Sequence, residues 1–597
     1  MDILEKSSRL RQWMAEKEID IYMIPTADFH NTEYVADYFK VREYMTGFTG
    51  SNGTAVFTKE KAGLWTDGRY FIQARQELAG SNIALYEMGE PGIPTVLEFL
   101  ENELPEGGVI AFDGRTVGVN DGLQYEDIVE AKKGEIIFDL DLVGAFWSDR
   151  PELPCEPAFL LPENYAGESA AAKLIHIREV MAKEEVSLYL LTTLDDIGWL
   201  LNLRGNDIPC FPFVLSYLAI WENTGILYSD ERHFDGEILT ELEKLNISVK
   251  PYDKLYEDVE KLDSQEVVLL DPAGVNYTIY AHIPVDVIVL KQDNPLAIMK
   301  CVKNPVEADG IRQAHVKDGV ANTKFMYWLK NHPDVSSLTE LAVAEKIAAF
   351  RQEQELYLGP SFLPICAFRE HAAIVHYAAT EESNVNLDSD GLLLTDTGGH
   401  YLNGTTDITR TYVIGHISDE MKAHFTLVAK SMLKLSNVKF LYGCDGSHID
   451  YATREAFWQK GLNYNHGTGH GVGHVGGVHE GPININWKRG KKSPTAFEEN
   501  MQVTDEPGIY IEGSHGIRLE NMLLVQKAEK NVYGQFMCFE TLTLVPLDLD
   551  GIAVEYMNGE EIALLNAYHQ KVYDTICPHL AAEEAKWLKK ATGNISV

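Results

Sequence analysis

An internal repeat limits what this chain can fold into more than any other feature. Residues 3–18 read as a helix, with Leu10, Trp13 and Met14 on an apolar face, and Ile19-Asp-Ile-Tyr-Met-Ile24 reads as a buried strand. Then come Tyr44-Met-Thr-Gly-Phe-Thr-Gly50, an alternating stretch at Thr54-Ala-Val-Phe-Thr58, and Gly63-Leu-Trp-Thr-Asp-Gly-Arg-Tyr-Phe71. The same order returns later. A helix near 168–184 places Leu174, Ile177 and Met181 on one face, and the strand Val186-Ser-Leu-Tyr-Leu-Leu191 follows it. Trp199-Leu-Leu-Asn-Leu-Arg-Gly205 and Thr224-Gly-Ile-Leu-Tyr-Ser-Asp-Glu-Arg-His-Phe234 complete the second pass. Helix, strand, (W/Y)-x-x-(G/N)-x-x-G and G-(L/I)-x-x-(S/T)-D-x-R-x-F thus recur, which reads as two copies of an α/β domain of about 150 residues. The proline-rich stretch 149–157 between them is a stiff, extended linker. Neither copy carries a cluster of catalytic residue types.

At Lys303-Asn-Pro the pattern changes. Helical periodicity runs through 306–331, and Ser337-Leu-Thr-Glu340 has the form of a capping box opening a second helix. A third helix begins near Ser418, and a fourth at 447–460 stops at Gly461. Strand-like segments at 372–377, 391–397, 406–414, 501–511 and 516–526 lie among these helices, and the tail 560–590 is again helical. The expected architecture is multidomain. Two related α/β domains at 1–157 and 158–302 precede an α+β domain at 303–597, in which helices pack on a mostly antiparallel sheet.

Composition excludes several classes. No apolar run approaches the ~18–20 residues that span a bilayer, and the acidic start Met1-Asp-Ile-Leu-Glu-Lys6 is unlike a signal peptide, so a cytoplasmic protein is expected. Seven scattered cysteines with no CxxC pair point to reduced thiols rather than a disulfide framework or zinc–thiolate site. The formal charge of −39, from 90 acids and 51 bases, counts against nucleic-acid and membrane partners.

Chemistry concentrates around His466-Gly-Thr-Gly-His470-Gly-Val-Gly-His474-Val-Gly-Gly-Val-His479, where four of the 19 histidines fall within fourteen residues. Alone, such a stretch is a Gly/His-rich surface loop, a holder of one incidental core histidine, or a metal or catalytic centre. Acids elsewhere bear on the choice. Asp396 ends an apolar run, and Asp407 lies across a Gly-rich turn from it; either alone could be a turn-forming aspartate. Glu506 and Glu520 also sit in stretches that otherwise read as core. Carboxylates buried among apolar residues need a cation, and one metal centre would serve all of them. Asp396, Asp407, His470, Glu506 and Glu520 offer four carboxylates and an imidazole. That donor set suits two divalent ions, Mn²⁺ by availability, with Co²⁺ or Zn²⁺ as substitutes.

In order, Asp396 and Asp407, the HGTGHGVG stretch, Val478-His-Glu-Gly-Pro482, Glu506-Pro-Gly-Ile-Tyr510 and Gly516-Ile-Arg-Leu-Glu520-Asn521 resemble the pita-bread metallopeptidases. Within that group the chain is similar to the three-domain, cytosolic-type Xaa-Pro aminopeptidases (aminopeptidase P). Trp65–Phe71, Trp147–Glu152, Asn202–Gly205 and Phe539–Pro546 carry the likeness across the chain. The resemblance implies a pita-bread (creatinase/aminopeptidase) catalytic domain. It implies that Asp396 holds one ion, that Asp407 and Glu520 bridge both, and that His470 and Glu506 complete the second. His376, His466 and His479 then fall on the substrate side, and Phe362, Tyr510 and Arg518 shape the proline subsite. A homodimer through the catalytic domain is implied too. His474 matches no family role and is expected to be a loop histidine. His371 departs from the family pattern, standing where relatives carry Asn.

The expected reaction is release of the first residue from peptides with proline second. A hydroxide shared by two ions attacks, Glu506 acts as base and then acid, and His376 or His479 faces the oxyanion. Three rivals stand beside it. A prolidase would accept only X-Pro dipeptides, and a creatinase-like hydrolase would use the fold without metal. A non-catalytic pita-bread interaction protein would need decayed ligands.

Overall fold

The computed structural model describes residues 1–488 and 494–596. The chain divides into two compact units, one formed by Met1–Pro162 with Glu168–Leu296 and the other by Glu163–Gly167 with Ala297–Val597.

The repeat is real at the level of sheet topology. One six-stranded sheet runs Ala84–Glu87, Ala62–Thr66, Thr54–Thr58, Ile21–Pro25, Val109–Ala111, Glu135–Ile137. The other runs Ile247–Lys250, Gly225–Tyr228, Tyr217–Trp221, Leu188–Leu191, Val267–Leu270, Ile288–Lys291. Each passes through the same series of pairings, parallel, antiparallel, antiparallel, parallel, parallel. The shared motifs have shared physical causes. Gly47 and Asn202, equivalent in the first motif, both take left-handed backbone, with φ of 72° and 51°. Those are two of the residue types that enter this region at least cost. In the second motif Arg69 grips Asp67 through two bonds of 2.9 Å, and Arg232 grips Asp230 with bonds of 3.0 and 2.6 Å.

In the second unit a helix at Pro305–Lys330 opens with a capping box between Asn304 and Glu307, and further helices span Glu340–Gln352 and Asp419–Ser436. Two antiparallel sheets carry the acids. One orders Ile365–Phe368, Gly391–Thr397 and Ile408–Ile414; the other orders Phe440–Leu441, Gly534–Thr541, Asn521–Asn531 and Gln502–Asp505. Leu392, Val428, Ile517, Leu519 and Leu547 belong to the core beneath them. All seven cysteines are free thiols, and no helix among the described residues is long and apolar enough to cross a membrane.

Several local expectations change. The stretches 501–511 and 516–526 are each two strands. Gln502–Asp505 pairs with Asn521–Asn531, and Gly508–Ile511 pairs with His515–Arg518. Pro507 has no N–H to continue the ladder, so the pairing breaks there, and Glu506 and Glu520 occupy the break. The segment 372–377 is not a strand. It is a 3₁₀ turn at Arg369–Ala373 followed by irregular chain. The strand His515–Arg518 presses so closely on this turn that a Cβ at Gly516 would stand 1.7 Å from the Ala372 carbonyl oxygen. The capping box at Ser337 is absent too. Thr339 caps the helix, accepting from the Ala342 amide at 3.1 Å, and Glu340 turns inward to complete burial.

Candidate metal centre

Each expected ligand has a local reason for its position. Asp396 is the sixth residue of Gly391–Thr397 and pairs in register with Thr409 of Ile408–Ile414, just past Asp407. The short hairpin between these two strands, Gly399–Tyr401 with Gly404–Thr405, returns the second aspartate beside the first. Glu506 and Glu520 come from the ladder break, where the Glu506 amide donates to Thr468 at 2.8 Å and the Glu520 amide donates to Thr409 at 3.1 Å. The HGTGH stretch lies against Gln502–Asp505 so tightly that a Cβ at Gly469 would stand 1.9 Å from the Thr504 carbonyl oxygen. Glycine is obligatory there.

Asp407, His470 and Glu520 bring ligand atoms within 4.8 Å of one another. His470 Nε2 lies 3.5 Å from Asp407 Oδ2 and 3.6 Å from Glu506 Oε1. The His470 Nδ1–H donates to the Gly471 carbonyl at 3.0 Å, which leaves Nε2 with its lone pair free to face the acids. Asp396 Oδ2 accepts from Arg518 Nη2 at 2.6 Å, and Glu520 Oε2 accepts from the Thr409 hydroxyl at 2.8 Å. The other oxygen of each, Asp396 Oδ1 and Glu520 Oε1, is buried with no hydrogen-bond partner among the described residues.

The electrostatics are those of a site short of positive charge. Burial first, and then the charges of Glu520, Asp396 and Glu506, push the Asp407 carboxyl well above its ordinary range, with Arg518 opposing. Burial and Asp396 push Glu520 up to about 7, against Thr409 and Arg518. Four carboxylates around one guanidinium, two of them with orphaned oxygens, fit divalent cations bound through oxygen and one imidazole nitrogen.

The residues expected on the substrate side form a second group. Tyr510 donates to His466 Nε2 at 2.9 Å and accepts from Arg518 Nη1 at 2.8 Å, so Arg518 links the tyrosine to Asp396. His479 stands edge-on to His470, ring centroids 4.2 Å apart. His376 is half-buried, and the carbonyl before it, of Val375, accepts from Arg518 Nη2 at 3.3 Å. Phe362 is buried and lies against Gly398, two residues beyond Asp396. His474 lies in a loop, as expected, but not in solvent. It is buried, with Nδ1 3.9 Å from Glu307 Oε1, because the glycines on both sides let the stretch fold back under the helix Pro305–Lys330.

Two participants were missed from sequence. Thr409 holds Glu520, and its signal was available: it follows Asp407 at a spacing of two and so shares its face of the strand. Glu340, which accepts from the Tyr377 hydroxyl next to His376 at 2.9 Å, had no such signal, because its capping-box pattern has an ordinary explanation.

Comparison with known proteins gives this geometry a family. Creatinase/prolidase N-terminal domains match residues 6–140 and 149–307, metallopeptidase family M24 matches 309–527, and the C-terminal region of that family matches 535–595. Aminopeptidase P1 of Arabidopsis thaliana is 34% identical, the match covering 99% of each chain. The chain belongs to the aminopeptidase P family. A probable Xaa-Pro aminopeptidase P of Pyrenophora teres f. teres is 33% identical over 99% of this chain and 93% of that one. The X-prolyl aminopeptidase of Caenorhabditis elegans, a cytosolic enzyme with a di-nuclear active site, superposes with a TM-score of 0.94 at 34% identity over 100% of both chains. This member of the family therefore has its two creatinase-type N-terminal domains and pita-bread catalytic region in the order expected from its repeat and motifs.

Proposed function

We propose that this chain is a metal-dependent Xaa-Pro aminopeptidase, releasing the N-terminal residue from peptides whose second residue is proline. The observation that carries the reading is the convergence of Asp407, His470 and Glu520 to within 4.8 Å, in a chain with full-length aminopeptidase P relatives. Asp396, Asp407, His470, Glu506 and Glu520 would hold two divalent ions, Mn²⁺ being the ion that best suits the donors and their availability. When bound, such ions supply carbonyl polarisation and a nucleophilic water of lowered pKa.

The chain's own residues do the rest. Glu506 takes the proton of the attacking water and returns it to the departing proline nitrogen. His376 and His479 donate toward the oxygen on which charge develops. Tyr510, held by Arg518 and His466, forms with Phe362 the aromatic walls that receive the proline ring. The carboxylates around Asp396 anchor the free amino terminus. The domain division at 157 and 302, a homodimer through the catalytic domain and its tail, and a cytoplasmic setting are parts of the same reading.

One preparation tests it. Chelated enzyme is assayed on X-Pro-Y and X-Pro with and without Mn²⁺, and sedimented. Metal-restored release of X from the tripeptide is expected, with a particle of twice the 67.0 kDa chain mass. Cleavage confined to X-Pro would make it a prolidase. No metal-dependent cleavage would overturn the assignment, and a 67.0 kDa particle would remove the dimer.

A further inference from the structure

The segment 369–377 carries His376 but joins no ladder, so some other device must fix it. The side chain of Glu340 is fully buried, and its oxygens accept from four donors. These are the Phe368 amide at 2.7 Å, His371 Nδ1 at 2.9 Å, the Tyr377 hydroxyl at 2.9 Å and the Val385 amide at 3.3 Å. Two donors precede His376 in sequence and two follow it. The His371 ring also stacks on Tyr377, centroids 4.4 Å apart. On the other side of His376, the carbonyl of Val375 accepts from the same Arg518 nitrogen that grips Asp396. His376 is thus flanked by one residue tied to Glu340 and one tied to the arginine of the metal centre.

We propose that Glu340 is a positioning residue for His376, and that His371, bonded to Glu340 and stacked on Tyr377, is the titratable half of the clamp. The proposal rests on the assignment of His376 to the substrate side. A buried carboxylate whose lone pairs are filled from both flanks of a loop restricts that loop as a ladder would. The hydrogen bond to Glu340 raises the His371 pKa, burial opposes it, and the charges of Glu340 and Glu370 add to the rise. Glu340 and Tyr377 face the ring, and Glu370 and Arg369 flank it in its own turn. Because the folded-state pKa is raised, the charged clamp is complete below the ordinary imidazole value and is lost as pH rises through the folded one.

The test compares the metal-loaded wild type with His371→Asn, a change at a partly exposed ring, and with Glu340→Gln and Tyr377→Phe. At low pH, His371→Asn should lower kcat about 10-fold with KM within about 2-fold, since a small misplacement of a reacting group has effects of that order. The ratio of wild-type to His371→Asn activity should fall toward one as pH rises. Backbone amides of 369–377 should exchange faster in all three variants, and Tyr377→Phe keeps this readout should Glu340→Gln not fold. A ratio that is one throughout, or that does not change with pH, would overturn the proposal, as would unchanged exchange. His376→Ala separates the premise: wild-type kcat in that variant would sink the substrate-side role of His376, and the exchange measurement would still judge the clamp.

Discussion

Asp67 and Asp230 of the N-terminal copies each have an arginine two residues on, whereas Asp396, Asp407, Glu506 and Glu520 of the catalytic region gather around the single guanidinium of Arg518. The first arrangement is self-sufficient. Each acid is neutralised within its own turn, its geometry repeats in both copies, and it creates no demand for anything else. The second is unfinished as protein. Its carboxylates are mutually repelling, those of Asp396, Asp407 and Glu520 are buried, and two of their oxygens lack a partner among the described residues. The two regions have similar residue types. What separates structure from function is whether the charge is compensated locally or left for a ligand to compensate.

The comparison can be broken most directly at Glu520. Glu520→Gln keeps shape and burial but removes a charge from the centre, and it should lower kcat/KM on X-Pro-Y on the order of 10²–10³-fold with weakened metal retention by elemental analysis. Activity near that of wild type would mean the carboxylate cluster is structural after all.

A smaller effect should appear in stability. In the chelated protein the raised carboxyls bind protons more tightly when folded, so their contribution is present below the unfolded value and lost as pH rises. For Glu520 that window runs from the ordinary 4.5 to about 7, and Asp407 acts in the same direction. Thermal midpoints of the chelated protein should fall by a few °C across this window, and Mn²⁺ should remove the slope because it replaces the missing charge. A chelated protein whose midpoint rises through the window would contradict the charge imbalance.

The smallest effects belong to the N-terminal pairs. Asp67→Asn and Asp230→Asn should leave kcat/KM within about 2-fold and cost no more than about 1 kcal/mol each in denaturant unfolding, since such pairs are at least partly solvated. A catalytic loss comparable with that of Glu520→Gln would erase the distinction between the two regions.

Much of this was legible in the chain. The repeat motifs carried their own local physics, a left-handed position filled by Gly47 or Asn202 and an Asp-x-Arg turn, and both work whatever surrounds them. Asp396 and Asp407 were readable because only a short hairpin, Gly399–Tyr401 paired with Gly404–Thr405, separates their strands. The strand boundaries around Glu506 and Glu520 were less so. Apolar alternation runs straight through both acids, and the break depends on Pro507 acting on a partner strand far along the chain.

By itself, the sequence determined what is local and periodic: two copies of one α/β unit, a change of character after Lys303, and a set of acids in stretches too apolar to hold them unaided. Tertiary structure alone decided the rest. It made Arg518 the shared partner of Asp396 and Tyr510, buried His474 beside Glu307, and turned Glu340 from an apparent helix cap into an anchor for the His376 segment. The physical reason is distance along the chain. A turn or cap is fixed by neighbours a few residues away, but a buried charge takes its partners from whatever the fold brings to it, and no local pattern records that choice.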